Sequence, residues 1–443
     1  MQNIFRAKLS TKAIQTFYFF LSFSLLFLGF YRNQWGMSHP HKFSVFQKDV
    51  EAYIVARMVF THQNGLFSYG GLLGYGDVNP EDVREDDYDY QYETYLSGHS
   101  FQTYWHKESN PGFQGIFFSV LDLVSPFSPQ NDLRFFRALA SGFFAAILAG
   151  IIIWFWRGPG VWSSVFVLVS ILTSQWMTVF GRNLFFVSGF FYLPMMVLLF
   201  RLEKETKGHR LLDRQLFWIV LSFVLVKCLF NGYDFILPAL GMVASPIVYY
   251  AVLDAWGKKK FIKRFFVVCV ASLVAILISL AVLALQIMKA SGSLLHGFAY
   301  ILETINRRTI SNQANLDPVY EIAQRAEYWP ILRIYMSESY FYKFTIPYFA
   351  VIAFFAIISI VCCLYFNKIK YGKSGFSTGN ALMATTWFSL VGVFSWYIIF
   401  KSISYFHTHM NYLPWHMPFT LFGFGLCGFA VEHFVRQLRQ SEA

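Results

Sequence analysis

The sequence predicts an all-α polytopic membrane protein, with about ten transmembrane helices and interfacial helices in two exterior loops. Three observations carry this. Of the 443 residues, 56% are hydrophobic and only 14% charged, where a soluble chain carries about 25% charged residues. Several apolar stretches reach the roughly 20 residues that a bilayer-crossing helix needs. Lysine and arginine gather in alternate short loops, as they do when one side of a membrane holds the positive charge.

Spans are expected at about 15–31, 135–156, 160–180, 184–200, 216–231, 235–253, 264–288, 344–366, 381–400 and 415–431. They divide the chain into a first transmembrane helix (1–31), an exterior loop domain (32–134), transmembrane helices two to seven (135–288), a second exterior loop with an interfacial helix (289–343), and helices eight to ten with a cytoplasmic tail (344–443). The first apolar stretch, Thr16 to Phe30, follows Arg6, Lys8 and Lys12 and has the outline of a signal peptide. No small-residue cleavage site follows it, so a retained helix is expected.

Orientation follows from the basic loops. Arg201, Lys204, Lys207, Arg210 and Arg214 fall on one side, with Lys258, Lys259, Lys260, Lys263 and Arg264, then Lys368, Lys370 and Lys373. The N-terminus and the tail (Arg436, Arg439) share that side, which the positive-inside rule makes cytoplasmic. Much of the net charge of +11 lies in these loops. It reads as a topology signal and a contact to anionic lipids, and no nucleic-acid partner is expected. The cysteines (Cys228, Cys269, Cys362, Cys363, Cys427) all fall in apolar stretches, so the polar loop offers neither disulfide nor thiolate metal site.

The exterior side receives the unusual polar chemistry. Residues 44–64 read as a helix, with Phe46, Val50, Ile54 and Met58 on one face and Asp49, Tyr53, Ala56 and Arg57 on another. The glycine-rich stretch 66–76 reads as loop. Residues 77–93 hold eight acids: Asp77, Glu81, Asp82, Glu85, Asp86, Asp87, Asp89 and Glu93. Such a run is a solvated face or a divalent-cation site. In the second exterior segment Leu294, Phe298, Ile301 and Ile305 recur at helical spacing and predict an interfacial helix.

Asp49 and Glu51, two positions apart, lie about 200° apart on a helix unless the helix begins there. Asp49 is then a base or a helix cap. Arg182, in Gly181-Arg182-Asn183, is a phosphate ligand or a snorkelling anchor. Lys227, Asn231 and Asp234 have i, i+4, i+7 spacing, and a Lys227–Asp234 pair is the plainer reading. Residues 400–416 combine Lys401, Ser402, Ser404, His407, His409, Asn411 and His416 with Tyr405, Tyr412 and Trp415. His407 and His409 lack a nearby third metal ligand, so an anion site around Lys401 is favoured over metal or a plain aromatic belt. No P-loop, Rossmann fingerprint, G-x-S-x-G or H-E-x-x-H occurs.

With D-V-E at 49–51, G-G-L-L-G at 70–74, G-F-Q-G at 112–115, G-R-N-L-F-F at 181–186, N-G-Y-D-F at 231–235 and H-T-H-M-N-Y at 407–412, the chain resembles an uncharacterised bacterial branch of the GT-C superfamily of membrane glycosyltransferases. The resemblance implies an inverting enzyme that takes a sugar from a polyprenyl-phosphate donor and passes it to a glycan or lipid acceptor. The setting it implies is the exterior face of a bacterial inner membrane and surface polysaccharide modification. On this sequence it implies Asp49 as base with Glu51 as helper. Arg182, Lys401, His407 and His409 would hold the lipid phosphate, and Tyr53, Arg57, Asn231, Asp234 and Asn411 the acceptor or sugar. No metal site is assigned. A divalent cation (Mg or Mn) stays open as a cofactor, because some members use one. The competing readings are a flippase of lipid-linked sugars and a non-catalytic glycan-binding scaffold. A transporter tends to show repeated halves and broken mid-membrane helices, and neither is evident here.

Overall fold

A computed structural model describes residues 2–78, 84–309, 327–368 and 373–441. Glu81 and Asp82 of the acidic run, Lys370 of the third basic loop and residues 310–326 of the second exterior segment lie outside the described residues. The chain runs α1 (Gln2–Arg32), α2 (Pro40–Val45), α3 (Lys48–Asn64), β1 (Gly74–Gly76), α4 (Glu85–Ser97), β2 (Tyr104–His106), α5 (Phe113–Val124), α6 (Pro129–Arg157), α7 (Val161–Thr173), α8 (Gln175–Phe180), α9 (Gly189–Thr206), α10 (Asp213–Asn231), α11 (Ile236–Leu253), α12 (Lys258–Ser291) and α13 (Leu294–Arg308). Helices Tyr328–Ser337, Tyr348–Lys368, Lys373–Ile399, Lys401–Phe406 and Phe419–Ser441 complete it.

Among the described residues, five helical stretches are long and apolar enough to cross a membrane: Thr11–Arg32, Pro129–Arg157, Ile236–Leu253, Lys258–Ser291 and Ser377–Ile399. Each overlaps an expected span. Phe113–Val124, Val161–Thr173 and Tyr348–Leu364 are apolar but shorter. The stretch expected as one span over 160–180 is broken at Ser174, whose hydroxyl accepts from the Met177 N–H and caps α8. The expected span 184–200 starts late, at Gly189, because the Asn183 side chain holds the Phe185 and Phe186 N–H groups in a turn.

The bundle is held by close helix contact and buried aromatic rings. α1 packs along α6, where Phe30 and Phe144 stack at 4.9 Å. α11 crosses helix Lys373–Ile399 at Gly241 and Gly392, and Ser245 and Ser389 share a hydrogen bond of 3.3 Å beside them. Small residues at such a crossing let backbones approach where lipid supplies no hydrophobic drive. Trp154 donates to the Tyr250 hydroxyl at 2.8 Å deep in the core. At the lysine-rich end Arg264 grips Glu205 through two nitrogens, at 2.5 and 2.8 Å.

The loop domain sits at the other end. α3 is its axis, covered by α4, α5 and the ribbon of β1 and β2, antiparallel with Tyr75 opposite Trp105. The glycine-rich stretch read as loop in fact holds a 3-10 turn, Ser68–Gly71, and β1. Glycine is needed there because backbones meet. A Cβ on Gly74 would lie 2.2 Å from the Trp105 carbonyl oxygen, and Gly70 (φ +67) presses on Gln286. Arg57 fixes the curl. It is fully buried and donates to the carbonyls of Leu66 (2.5 Å), Ser68 (2.9 Å), Gly65 (3.3 Å) and Leu72 (3.4 Å). Arg57 is therefore a loop anchor and not the acceptor ligand expected of it.

α13 forms as the amphipathic periodicity requires, its start capped by Ser293 accepting from the His296 N–H. Leu294, Phe298 and Ile305 are exposed along it and Ile301 is buried.

Arg57→Met removes the side-chain donor from the Leu66 and Ser68 carbonyls, while Gly65 and Leu72 keep donors in Ser68 and Tyr104; the cost is about 1–3 kcal/mol for each carbonyl left unsatisfied. The expected outcome is a clear drop in thermal midpoint in detergent, with new proteolysis confined to residues 65–73.

Candidate functional site

α3 begins at Lys48, with Gln47 (φ 54) as a cap residue that makes no side-chain cap bond. Asp49 is therefore inside the first turn and is not the helix cap. Once both carboxylates are helical, the 100° step per residue sends them to opposite sides of α3.

Glu51 points into the bundle and is buried. One of its oxygens accepts from Arg137 Nε (2.9 Å), from a second Arg137 nitrogen and from the Tyr92 hydroxyl (3.1 Å). The other accepts from the Leu184 N–H at 3.2 Å. Burial disfavours its charge, but Arg137, then Arg182 and Leu184, outweigh that and hold its pKa below the usual carboxylate value. A carboxylate that accepts four hydrogen bonds, three of them on one oxygen, holds α3 in place and is poorly suited to take a proton from a substrate.

Asp49 faces the other way and is half-buried. Among the described residues no hydrogen bond or ion pair reaches its carboxylate. Only its backbone carbonyl is engaged, by the Tyr75 hydroxyl at 2.7 Å. Its charge acts on Tyr75, Tyr88 and His409. Tyr53 stacks on Tyr75 with centroids 4.0 Å apart, and the Lys107 ammonium sits 4.2 Å above the Tyr53 ring and 5.7 Å from Phe185. Lys42 lies 4.1 Å over Trp176 and opposes the effect of Asp49 on His409, while Lys42 itself feels the Glu338 carboxylate. Tyr53 and Tyr75 thus bring aromatic rings close to Asp49, and Lys107 lies on the Tyr53 ring.

The phosphate-clamp candidates divide between the two sides. Arg182 belongs with Glu51: it donates to the carbonyls of Phe43 (3.3 Å) and Ser44 (3.4 Å) and stacks over Phe43 at 4.3 Å. Burial, then the neighbouring Arg137, lowers its pKa. Lys401 is buried against Tyr328, its ammonium 4.7 Å from the ring. His409 is exposed beside Asp49. His407 is half-buried, and burial, then His409, Arg308 and Lys107, push its pKa down to about 4. It is a neutral ring at pH 7, a hydrogen-bonding group and not the cation that a phosphate clamp needs.

Three polar candidates turn out to hold backbone. Asn231 is buried and donates to the Phe186 carbonyl. Asn411, also buried, donates to the Ile403 carbonyl at 3.2 Å and closes the turn after helix Lys401–Phe406. Lys227 does not pair with the Asp234 carboxylate. Its ammonium donates to the backbone carbonyls of Gly232 and Asp234, both at 2.9 Å, while the Asp234 side chain lies 3.6 Å from Arg308.

Among the described residues, no three or more of His, Cys, Asp and Glu are grouped as metal ligands. Three members of the acidic run serve local structure: Asp77 holds the backbone of Gln102 and Thr103, Asp87 caps α4 and Asp89 pairs with Lys48, while Glu85, Asp86 and Glu93 are exposed.

Sequence reasoning missed Arg137, Lys42 and Lys107. Arg137 had a signal, being a charge inside the expected span 135–156. Lys42 and Lys107 had none, because their placement depends on the rings they stack on. No family model, curated protein or solved structure matches the chain.

Glu51→Ala leaves the half-buried Arg137 without its partner and is expected to cost about 1–3 kcal/mol of stability. Because the folded pKa of Glu51 lies below the unfolded value of about 4.3, its contribution is complete above that pH and fades as pH falls through the lowered value. Acid unfolding profiles of the wild type and Glu51→Gln converge at the acid end if this is right. In a separate measurement, histidine-selective NMR should find His407 titrating near pH 4, with no proton uptake between pH 7 and 5.5.

Proposed function

We propose that the chain is an inverting glycosyltransferase that uses a polyprenyl-phosphate sugar, as its resemblance to the GT-C superfamily implies. In this reading the loop domain lies on the exterior face of a bacterial inner membrane, both termini are cytoplasmic, and the product belongs to a surface polysaccharide. The supporting observation is the contrast between two carboxylates on one helix: Glu51 is saturated, and Asp49, two residues away, is unpaired among aromatic rings and cations.

Asp49 takes the proton of the acceptor hydroxyl as that oxygen forms a bond to the anomeric carbon. The bond from the anomeric carbon to the phosphate oxygen breaks with inversion, and its electron pair leaves with the polyprenyl phosphate. A phosphate leaving group needs charge stabilisation more than it needs a proton. In this reading Lys107 and Lys42 supply that charge. The lysines hold their stations by stacking on Tyr53 and Trp176, and the same rings offer flat faces to a pyranose. His407, neutral, serves as a donor or acceptor to sugar hydroxyls. A metal-free site of this kind is complete without Glu51, which acts by holding α3 in place.

Asp49→Asn removes the base without changing shape. The expected result is a 10²- to 10⁴-fold loss of kcat, with KM and thermal stability close to wild type, in a transfer assay with radiolabelled polyprenyl-phosphate sugar. Full transfer by this variant would remove Asp49 from the mechanism. Substrate flipping in liposomes without covalent transfer would replace the enzyme with a flippase.

A further inference from the structure

On the Glu51 side of α3, away from Asp49, lies a cavity of about 370 Å³ lined by Tyr31, Arg32, Phe43, Arg134, Arg137 and Arg182. Four guanidinium groups thus converge on a space whose nearest carboxylate, Glu51, is already gripped by Arg137. Arg32 ends α1 and Arg134 lies in the first turns of α6, so the cavity caps the seam between two helices long and apolar enough to cross a membrane. Both side chains are exposed, and among the described residues neither has an acidic partner. Arg182 is held in the wall by the Phe43 and Ser44 carbonyls. Below the cavity runs a ladder of half-buried rings on α1: Tyr31 stacks on Phe27 at 5.5 Å, and Phe27 on Phe23 at 6.0 Å. Phe135 and Leu139 of α6 are exposed beside it.

An anionic head above and an apolar track below match one class of ligand. We propose that the basin and the ladder bind an anionic phospholipid of the surrounding bilayer, with the phosphodiester among the four arginines and the acyl chains against Tyr31, Phe27 and Phe23. Guanidinium groups suit phosphate oxygens in forked geometry, and the cavity sits at the ends of α1 and α6, where a head group of the same leaflet would lie. The lipid is distinct from any sugar donor, because its phosphate lies across α3 from Asp49. Its binding shields the charges that crowd Arg137, so it strengthens the seating of the helix that carries Asp49. The proposal does not rest on the sugar-transfer reading, and its readout uses neither donor nor acceptor.

The test reconstitutes the full chain in nanodiscs of phosphatidylcholine with graded phosphatidylglycerol. Lipid retained by the protein is read by native mass spectrometry, and thermal midpoints are taken in parallel. The wild type is expected to retain phosphatidylglycerol at least tenfold over phosphatidylcholine and to gain thermal stability as its fraction rises, as linkage requires. Arg32→Gln with Arg134→Gln should lose that preference at least tenfold, while its midpoint in phosphatidylcholine alone stays at the wild-type value. Phe27→Ala should weaken retention several-fold with the arginines intact, which keeps the test informative if the double variant folds poorly. Unchanged retention in the arginine variant overturns the proposal. So does preference for a polyprenyl monophosphate over phosphatidylglycerol, or equal stabilisation by inorganic phosphate alone.

Discussion

The buried pair of Glu51 and Arg137 sets the position of everything around it. It joins the loop domain to α6, and Tyr92 from α4 and the Leu184 N–H from the turn before α9 close on the same carboxylate. A buried carboxylate is tolerable only when it is paired and hydrogen-bonded, and Glu51 is met from three separate segments, α6, α4 and the turn before α9. α3 cannot rotate without breaking all of these contacts together. Its rotation decides what Asp49 faces, so the pair governs the surroundings of Asp49 without touching them.

The same helix therefore keeps two electrostatic environments apart. On the Glu51 side, positive charge is in excess and meets the end of two long apolar helices. Toward Asp49, Lys107 and Lys42 rest on aromatic faces, Lys42 also within reach of the Glu338 charge, and His407 is kept neutral by burial and by its cationic neighbours. Cation–π stacking holds an ammonium in place without cancelling it, unlike a salt bridge. Carboxylates elsewhere in the loop domain are consumed in local work: Asp77, Asp87 and Asp89 all hold backbone or a lysine.

Much of the helical architecture was legible from composition and periodicity, because a long apolar run has few alternatives to a helix. The interfacial helix α13 and the apolar helices at 135–156, 235–253 and 264–288 belong to this class. Turns defeated the reading. Nothing in the run 160–180 announces the break at Ser174, since serine is common within apolar helices. At 66–76 glycine was read as loop, where it serves a close backbone approach and a strand. Site residues were legible only as polar groups at the right end of the bundle. Arg57, Asn231 and Asn411 share that end and that polarity with Asp49, yet each hydrogen-bonds to buried carbonyls.

The sequence by itself determined that this is a helical chain with bilayer-length apolar segments, that its polar chemistry gathers at one end, and that Asp49 and Glu51 cannot share a helix face. Those properties follow from side-chain hydrophobicity and the helical repeat, both local. Only the tertiary structure decided which of the two carboxylates is engaged, that Arg182 lies across α3 from His409, and that Lys42 and Lys107 are seated on aromatic rings. Those depend on partners up to hundreds of residues apart in the chain, whose meeting no spacing in the sequence encodes.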